Sequence, residues 1–348
     1  MREVQGGTHQ PLVVSVILPC RNEEQFIAAC LESIIANDYS KDHLEILVID
    51  GASEDRTRSI VDSFRRKYSF IKLLNNSNSN FTTAVNIGVR IAKGDAIMIV
   101  GAHATYSSNY ISDCVKVLQE SGADNVGGIL VPTPSGTTAI ARAIALVLAH
   151  PFGAGNSHFK LGSTKKRWVD TVFGGCYARA VFEKVGLLDE RLPRSSDMDF
   201  NIRLRKTGGK ILLVPDVVVH YHPKSTLIAF AVHNFDDGLW TFYPLRYGSR
   251  TFYLRHAVPM VFISILLVGL ALAPFIEAFR WLLIGIVGMY ILASLLASIH
   301  ISFQKKRCSY LVLLPIAFAV RHVAYGTGAL VGWLMAQTGR ELVTSRSY

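Results

Sequence analysis

The sequence Ala-Ile-Met-Ile-Val-Gly-Ala-His-Ala, residues 96–104, decides the fold class of this chain. Five apolar residues, three of them β-branched, run into a turn of small residues that carries His103, the pattern of a buried central strand opening into a loop. In an α/β sheet, ligands bind where such strands end. We therefore expect a ligand site at this turn, with a purely structural histidine as the alternative.

Two similar strands precede this one. Residues 12–18 and 44–49 are apolar runs rich in β-branched residues, and each leads into a polar loop and then a helix-periodic segment. Short strands alternating with helices predict an α/β fold with a mostly parallel, Rossmann-like sheet whose strand ends share one crevice. Asp50 ends the second strand, where a carboxylate can accept a hydrogen bond from a ribose hydroxyl or a base N–H. Ser53 more simply caps the next helix.

Composition indicates that part of the chain lies in a membrane. Of the 348 residues, 50% are apolar, which is high for a purely soluble protein. The net charge of +10 suits nucleic acid or an anionic membrane surface, and the long apolar blocks near the C-terminus favour the membrane over nucleic acid. Five cysteines form an odd set without metal-type spacing, which is typical of reduced thiols in a cytosol-facing protein.

Three ordered motifs resemble the nucleotide-binding half of family 2 glycosyltransferases, which have the GT-A fold. They read Val-Ser-Val-Ile-Leu-Pro-x-x-Asn-Glu at 14–23, Val-Ile-Asp-Gly-x-Ser-x-Asp-x-Thr at 48–57, and Ala-x-Asn-x-Gly-x-x-x-Ala-x-Gly-Asp at 84–95. Carboxylate and amide oxygens are suitable acceptors for the N–H groups of uracil or guanine in a partly dry cleft. The resemblance implies a nucleotide sugar, a UDP-sugar first of all, bound by Pro19, Asn22, Glu23, Asp50, Ser53 and Asn86.

The family has an Asp-x-Asp motif at the turn of residues 101–103. Its acids bind the ribose and a divalent cation that neutralises the diphosphate leaving group. This chain has Gly101-Ala102-His103, which is similar to the Asp-Ala-His of the ExoA-like branch of membrane-anchored exopolysaccharide glycosyltransferases. The resemblance implies that Gly101 and Ala102 line the donor site and leaves a Mn²⁺ or Mg²⁺ cofactor open. His103, His220 and His222 are its candidate ligands, and structural histidines are the alternative.

The second half of the chain contains the expected catalytic acid. Asp197 and Asp199 begin a predicted helix, where the family pattern is Glu-Asp-x-Glu-Leu-x-x-Arg and Ser196 replaces the first glutamate. An inverting transfer needs a carboxylate within hydrogen-bond reach of the acceptor hydroxyl. The resemblance implies that Asp197 is this base, whereas Asp199 orients the site or pairs with Arg203 at i+4. Acids favoured by the helix macrodipole are the alternative for both.

Four cations are expected to bind an acceptor lipid. Lys160 and Arg167 follow a glycine-rich loop and suit a lipid diphosphate, although a basic loop is often only solvated surface. Arg203 lies in the catalytic helix. Arg321 lies inside an apolar block, where a charge costs roughly 2.5–3.5 kcal/mol unless it faces protein, water or a lipid phosphate.

The expected organisation has three parts. Residues 12–222 form the GT-A domain. Residues 223–256 combine aromatic side chains with arginines and predict an amphipathic segment at the membrane interface. The membrane domain, residues 257–336, has two predicted spans at 257–274 and 281–303, near the ~20 residues that crossing needs, and a third spanning or re-entrant segment at 311–336. The basic loop at 304–307 predicts a multi-pass inner-membrane protein with a cytoplasmic catalytic domain.

The predicted function is inverting transfer of a sugar from a nucleotide sugar to a polyprenyl-linked acceptor during cell-surface polysaccharide synthesis. One alternative is a polyprenyl-phosphate monosaccharide synthase, whose acceptor is the lipid phosphate itself. The other is an inactive nucleotide-sugar-binding scaffold. Gly101 and Ser196, which stand where the family has acids, suggest this second alternative.

Overall fold

A computed structural model describes residues 11–249 and 251–339. Within them, nine strands form one sheet in the order β3-β2-β1-β4-β8-β6-β9-β5, with β7 paired to β9. The strands are β1 (Val14–Cys20), β2 (Leu44–Asp50), β3 (Ile71–Asn75), β4 (Ala96–Ile99), β5 (Ala104–Tyr106), β6 (Asn125–Pro132), β7 (Arg167–Val169), β8 (Phe173–Ala178) and β9 (Ile211–Tyr221).

Helices cover both faces of the sheet and continue beyond it. They are α1 (Ile27–Ile35), α2 (Thr57–Lys67), α3 (Phe81–Ile91), α4 (Tyr110–Ser121), α5 (Ala139–Ala149), α6 (Pro151–Ala154), α7 (His158–Leu161), α8 (Ala180–Val185), α9 (Ser196–Lys206), α10 (Leu227–Phe242), α11 (Val258–Leu272), α12 (Glu277–Lys305) and α13 (Tyr310–Thr338). The two faces of the sheet have separate cores, one packed on α1 and α4 and the other on α3, α8 and α9.

The first half of the sheet is parallel, as the alternation of strands and helices predicts. All seven residues of β1 and of β2 are buried, which explains their continuous apolar composition. The register places Cys20 of β1 opposite Asp50 of β2, and Ile17 opposite Ile99 of β4. The carboxyl ends of these strands therefore meet at one edge.

The second half of the sheet is mixed. Strand β8 runs antiparallel to both β4 and β6, and β5 and β7 are antiparallel to β9, whereas β6 and β9 are parallel. The predicted α/β class is confirmed, but "mostly parallel" describes only the half of the sheet formed by β1 to β4. The antiparallel pair of β5 with β9 brings Ala104 opposite Tyr221, so the turn at residues 101–103 lies beside the end of β9.

Three helical segments among the described residues are long and apolar enough to cross a membrane: residues 254–272, 277–305 and 310–338. The third is one continuous helix, α13, although it contains Pro315 and Arg321. A Cβ atom at Gly328 of α13 would lie 2.0 Å from the carbonyl oxygen of Phe235 in α10. The two helices thus approach backbone to backbone, as small residues permit, so the expected interface segment 223–256 packs against α13 through α10.

Candidate active site

The carboxyl ends of β1 and β2 form the edge of the sheet where the nucleotide sugar is expected, here called the donor edge. The loops that follow these two strands are hydrogen-bonded to each other. Ser53 Oγ accepts a hydrogen bond of 2.9 Å from the backbone N–H of Asn22, whose side-chain oxygen accepts one of 2.9 Å from Glu54 N–H. Asn22 has a left-handed backbone, φ 53°, which asparagine tolerates. Helix α2 is capped by Asp55, which accepts from Thr57 N–H, and not by Ser53. Asn22 and Ser53 therefore shape the wall of the crevice.

Asp50 is the buried carboxylate at this edge, with 1% exposure. Its Oδ2 accepts hydrogen bonds from the Arg58 guanidinium at 2.7 Å and from Ser53 N–H at 3.3 Å. Its Oδ1 is also buried and has no hydrogen-bond partner in the structure. An unsatisfied buried acceptor costs roughly 1–3 kcal/mol, so Oδ1 is poised for an N–H donor from a ligand.

The side chain of Asn86, an expected nucleoside contact, is hydrogen-bonded to the loop before α9. Its side chain is buried, accepts from Leu188 N–H at 3.0 Å, and donates to Leu188 C=O and to Glu190, both at 2.9 Å. These bonds use the carboxamide to join α3 to the loop before α9, and the contact of Asn86 with the nucleoside stays a prediction. Pro19 lies at the buried end of β1, opposite Ile49.

The turn that ends β4 lacks the geometry of a protein-held cation. A Cβ atom at Gly101 would lie 3.2 Å from Cζ of Phe173, so an aromatic ring borders the place of the family's first acid. Ala102 is buried. His103 Nδ1 lies 3.1 Å from Glu23 Oε1, and this pair leaves the predicted donor residue Glu23 facing the turn.

The three histidines expected as metal ligands each have other neighbours. His222 stacks on Phe26 at 5.4 Å, and exposed His220 lies 3.4 Å from the hydroxyl of Thr133. Within residues 11–249 and 251–339, no three His, Cys, Asp or Glu side chains are grouped to hold a metal ion. His222 lies within electrostatic reach of both His103 and His220, and its backbone N–H donates to the carbonyl of His103 at 3.0 Å. A cation bound by His103, His220 and His222 stays a prediction.

The second part of the site surrounds Asp197, in the first turn of α9. Asp197 is exposed to solvent, but the protein packed around it reduces the hydration of its carboxyl group, and this desolvation raises the pKa of that group. The charge of Asp237 raises it further, whereas backbone N–H groups and Lys160 oppose the change. A carboxylate with a raised pKa is a stronger base than a freely solvated one.

Helix α10 contributes a charged cluster that sequence analysis did not find. Arg194, just before α9, donates to Asp237 at 2.7 Å, and His233 lies 3.3 Å from the same carboxylate. Asp237 favours protonation of His233, but burial and Arg194 lower the pKa of this histidine to about 4, so it is neutral at pH 7. The aromatic composition of residues 227–253 predicts a membrane surface. For this reason the charged face of α10 was not recognised from the sequence.

Of the four cations expected at an acceptor lipid, Lys160 comes nearest to Asp197. Burial and the charge of Arg321 lower the pKa of Lys160 to about 8, although Asp237 and Asp197 favour its charged form. Arg321 faces protein, donating to the carbonyl of Gly153 and to Asn234. These contacts join α13 to α6 and to α10.

The other two cations lie elsewhere. Arg203 pairs with Asp199 at 2.8 Å, as expected at i+4, and donates to the carbonyls of Val185 and Leu187. These bonds occupy its guanidinium and favour a structural role, and its role at the acceptor stays a prediction. Exposed Arg167 lies on β7, 2.9 Å from the ring of His158.

A parallel sheet edge that carries a buried carboxylate, here Asp50, is typical of α/β proteins that bind ligands where the strands end. Residues 15–186 match the model of "Glycosyl transferase family 2". The chain carries a family 2 glycosyltransferase domain and is a glycosyltransferase.

Two curated relatives extend along most of the chain. One is a dolichyl N-acetyl-alpha-D-glucosaminyl phosphate 3-beta-D-2,3-diacetamido-2,3-dideoxy-beta-D-glucuronosyltransferase of Methanococcus voltae, 28% identical over 90% of this chain and 95% of its own. The other is the succinoglycan biosynthesis protein ExoA of Rhizobium meliloti, 23% identical over 90% and 92%. The resemblance to the ExoA-like branch is confirmed.

One solved structure has a similar fold. It is the mannosyltransferase PcManGT from Pyrobaculum calidifontis in complex with GDP-Man and Mn²⁺, with a TM-score of 0.57 and 20% identity, covering 92% of this chain and 88% of its own. At this identity the likeness establishes the fold, and the GT-A expectation is confirmed.

Proposed function

We propose that this protein transfers a sugar, with inversion, from a UDP-sugar to a polyprenyl-linked acceptor, with Asp197 as general base. The observation that carries the proposal is the charged cluster around Asp197, in which Lys160 of α7 and Asp237 of α10 are its neighbours and Arg321 of α13 acts on the same lysine. This cluster, here called the acceptor cleft, includes a residue of α13, one of the apolar helices that would present a lipid.

In the proposed reaction, Asp197 takes the proton of an acceptor hydroxyl while that oxygen attacks the anomeric carbon. The new glycosidic C–O bond forms on the face opposite the leaving nucleoside diphosphate, whose C–O bond breaks, which inverts the configuration. The raised pKa of Asp197 increases its basicity. Lys160 adds a positive charge near the Asp197 carboxylate and the negatively charged reactants.

Asp50 supports uracil as the base of the donor. Its Oδ2 is already engaged by Arg58 and Ser53, which leaves Oδ1 as its single free acceptor. Uracil presents one N–H on its pairing edge, whereas guanine presents two adjacent donors that suit a carboxylate with both oxygens free. No step of this reaction is assigned to a cation, because the turn at residues 101–103 does not hold one by itself.

The proposed location is the inner membrane, with the catalytic domain in the cytoplasm. Lys305, Lys306 and Arg307 lie where α12 ends and the connection to α13 begins, and short basic loops favour the cytoplasmic side. The proposed parts are a catalytic domain at 12–222, an interface segment at 223–256 and a membrane domain at 257–336.

The test uses the full chain in detergent with labelled UDP-, GDP- and dTDP-sugars, and offers polyprenyl phosphate and a polyprenyl-diphosphate-linked sugar as acceptors. We expect transfer from a UDP-sugar to the sugar-bearing lipid, and a loss of roughly 10²–10⁴-fold in kcat for Asp197→Asn with unchanged UDP affinity. Exposed Asp216 supplies the matched control, Asp216→Asn.

Three results would contradict the proposal. Transfer to polyprenyl phosphate alone would identify a monosaccharide synthase. UDP binding without transfer to either lipid would identify a scaffold. Full activity of Asp197→Asn would show that another group is the base.

A further inference from the structure

A separate cavity of about 440 Å³ lies between the last turn of α9, the edge strand β7 and the start of the first apolar segment. Six of its lining side chains carry the chemistry: His158, Trp168, Asp170, Arg205, Lys210 and Arg255. None of the residues at the donor edge lines it.

The lining is cationic. Arg205, Lys210 and Arg255 face one carboxylate, Asp170, which forms an ion pair with Arg255. The guanidinium groups of Arg205 and Arg255 lie 5.8 and 4.9 Å from the ring centre of Tyr253, and Arg205 also donates to its hydroxyl at 2.9 Å. Arginines held in place in this way suit a phosphate group, which they bind through paired N–H donors.

The cavity lies where the catalytic domain meets the apolar segment. Arg255 is the second residue of the candidate span 254–272, and its neighbour Leu254 is 82% exposed. Trp168, on the opposite side of the cavity, is 53% exposed and has the ammonium of Lys210 5.7 Å from its ring centre. Exposed tryptophan and leucine interleaved with cations are typical of a bilayer surface, which makes a lipid the natural carrier of the phosphate.

The distance between the cavity and Asp197 determines which group of a bound lipid can reach Asp197. Arg205 is eight residues beyond Asp197 on α9, a rise of about 12 Å. Between the two, the short helix α7 has His158 in the cavity and Lys160 within electrostatic reach of Asp197. A phosphate in the cavity is therefore too far from Asp197 to be the attacking group itself.

We propose that this cavity binds the diphosphate of a lipid acceptor that already carries sugar, and so holds the attacking hydroxyl of that sugar at Asp197. The role at Asp197 rests on the proposed function, but binding of the lipid diphosphate does not. The cavity thus binds the lipid diphosphate itself, and the sugar attached to that diphosphate supplies the attacking hydroxyl.

The test measures binding of farnesyl diphosphate to the full chain in phosphatidylcholine nanodiscs, without donor. We expect the double variant Arg205→Gln/Lys210→Gln to raise the Kd at least tenfold, and Asp197→Asn to leave it unchanged. The matched control is Arg66→Gln/Lys116→Gln, two exposed cations on α2 and α4 that lie outside the cavity. Unchanged UDP affinity and Tm verify that each variant is folded.

Three results would overturn the inference: an unchanged Kd in the double variant, equal affinity for inorganic diphosphate, or full competition by nanodiscs containing phosphatidylglycerol. The second would indicate a free anion as ligand, and the third a general lipid headgroup.

The transfer assay separates this inference from the proposed function. Cavity-dependent binding without sugar transfer would support the site while the proposed function fails. Sugar transfer with an unchanged acceptor KM in Arg205→Gln/Lys210→Gln would leave the function standing and show this inference to be wrong.

Discussion

The donor edge and the acceptor cleft are assembled in opposite ways. At the donor edge, β1 and β2 are neighbours in sequence and in the sheet, and their loops share short-range bonds such as Asn22 to Ser53. At the acceptor cleft, Asp197 has Lys160 and Asp237 as charged neighbours, and Arg321 acts on both of these, so the cluster joins four distant segments. The donor edge is therefore a local structure, whereas the acceptor cleft depends on how α10 and α13 pack.

This difference predicts that a substitution that disturbs the packing of α10 on α13 affects the acceptor cleft but not the donor edge. Close contact between α10 and α13 depends on glycines whose Cβ positions are occupied by backbone atoms of the partner helix.

Gly328→Leu is expected to give the largest difference between the effect on sugar transfer and the effect on UDP binding. Its side chain has no space beside Phe235 C=O, so we expect a destabilisation of about 3 kcal/mol, a lower Tm and loss of sugar transfer. UDP affinity should remain near that of the unchanged protein. The matched control is Gly285→Leu on α12, where a Cβ atom meets nothing within 4 Å. Equal loss of UDP binding in Gly328→Leu would disprove the independence of the donor edge.

Asp50→Asn tests the donor edge alone. The Arg58 guanidinium keeps the amide oxygen on its own side, so the amide NH₂ replaces Oδ1 and meets the N–H of uracil donor to donor. We expect the Kd for UDP to rise about tenfold to a hundredfold by calorimetry, which corresponds to 1–3 kcal/mol. The kcat at saturating donor should change little. Exposed Asp42 supplies the control Asp42→Asn, and equal UDP affinity in Asp50→Asn would remove Asp50 from the site.

The pH dependence of sugar transfer tests the acceptor cleft, and here the expected change in rate is the smallest. Asp197 must be deprotonated to act, so kcat/KM should rise with pH through its raised pKa. Lys160 must be charged, so the rate should fall above its pKa of about 8. Lys160→Arg keeps the charge and should move the alkaline limb upward, with a few-fold change in rate. An unmoved limb would show that another group controls it.

Local patterns explain what could be predicted. Apolar runs with β-branched residues determined β1, β2 and β4, and the polar residues at their ends, Asp50 and Glu23, followed from strand direction. Spacing along one helix determined the pair of Asp199 with Arg203. The length of the apolar blocks determined three helices able to cross a membrane.

Only the tertiary structure decided which polar groups were already satisfied. Asn86 and Arg203 matched expected site positions, but contacts with residues 185–190 occupy both. Conversely, Asp237 entered the site because α10 turns its charged side toward Arg194 while its glycine face meets α13. Sequence periodicity encodes which side chains share a face. The partner of that face is chosen by packing between distant segments, and this packing placed the catalytic cleft.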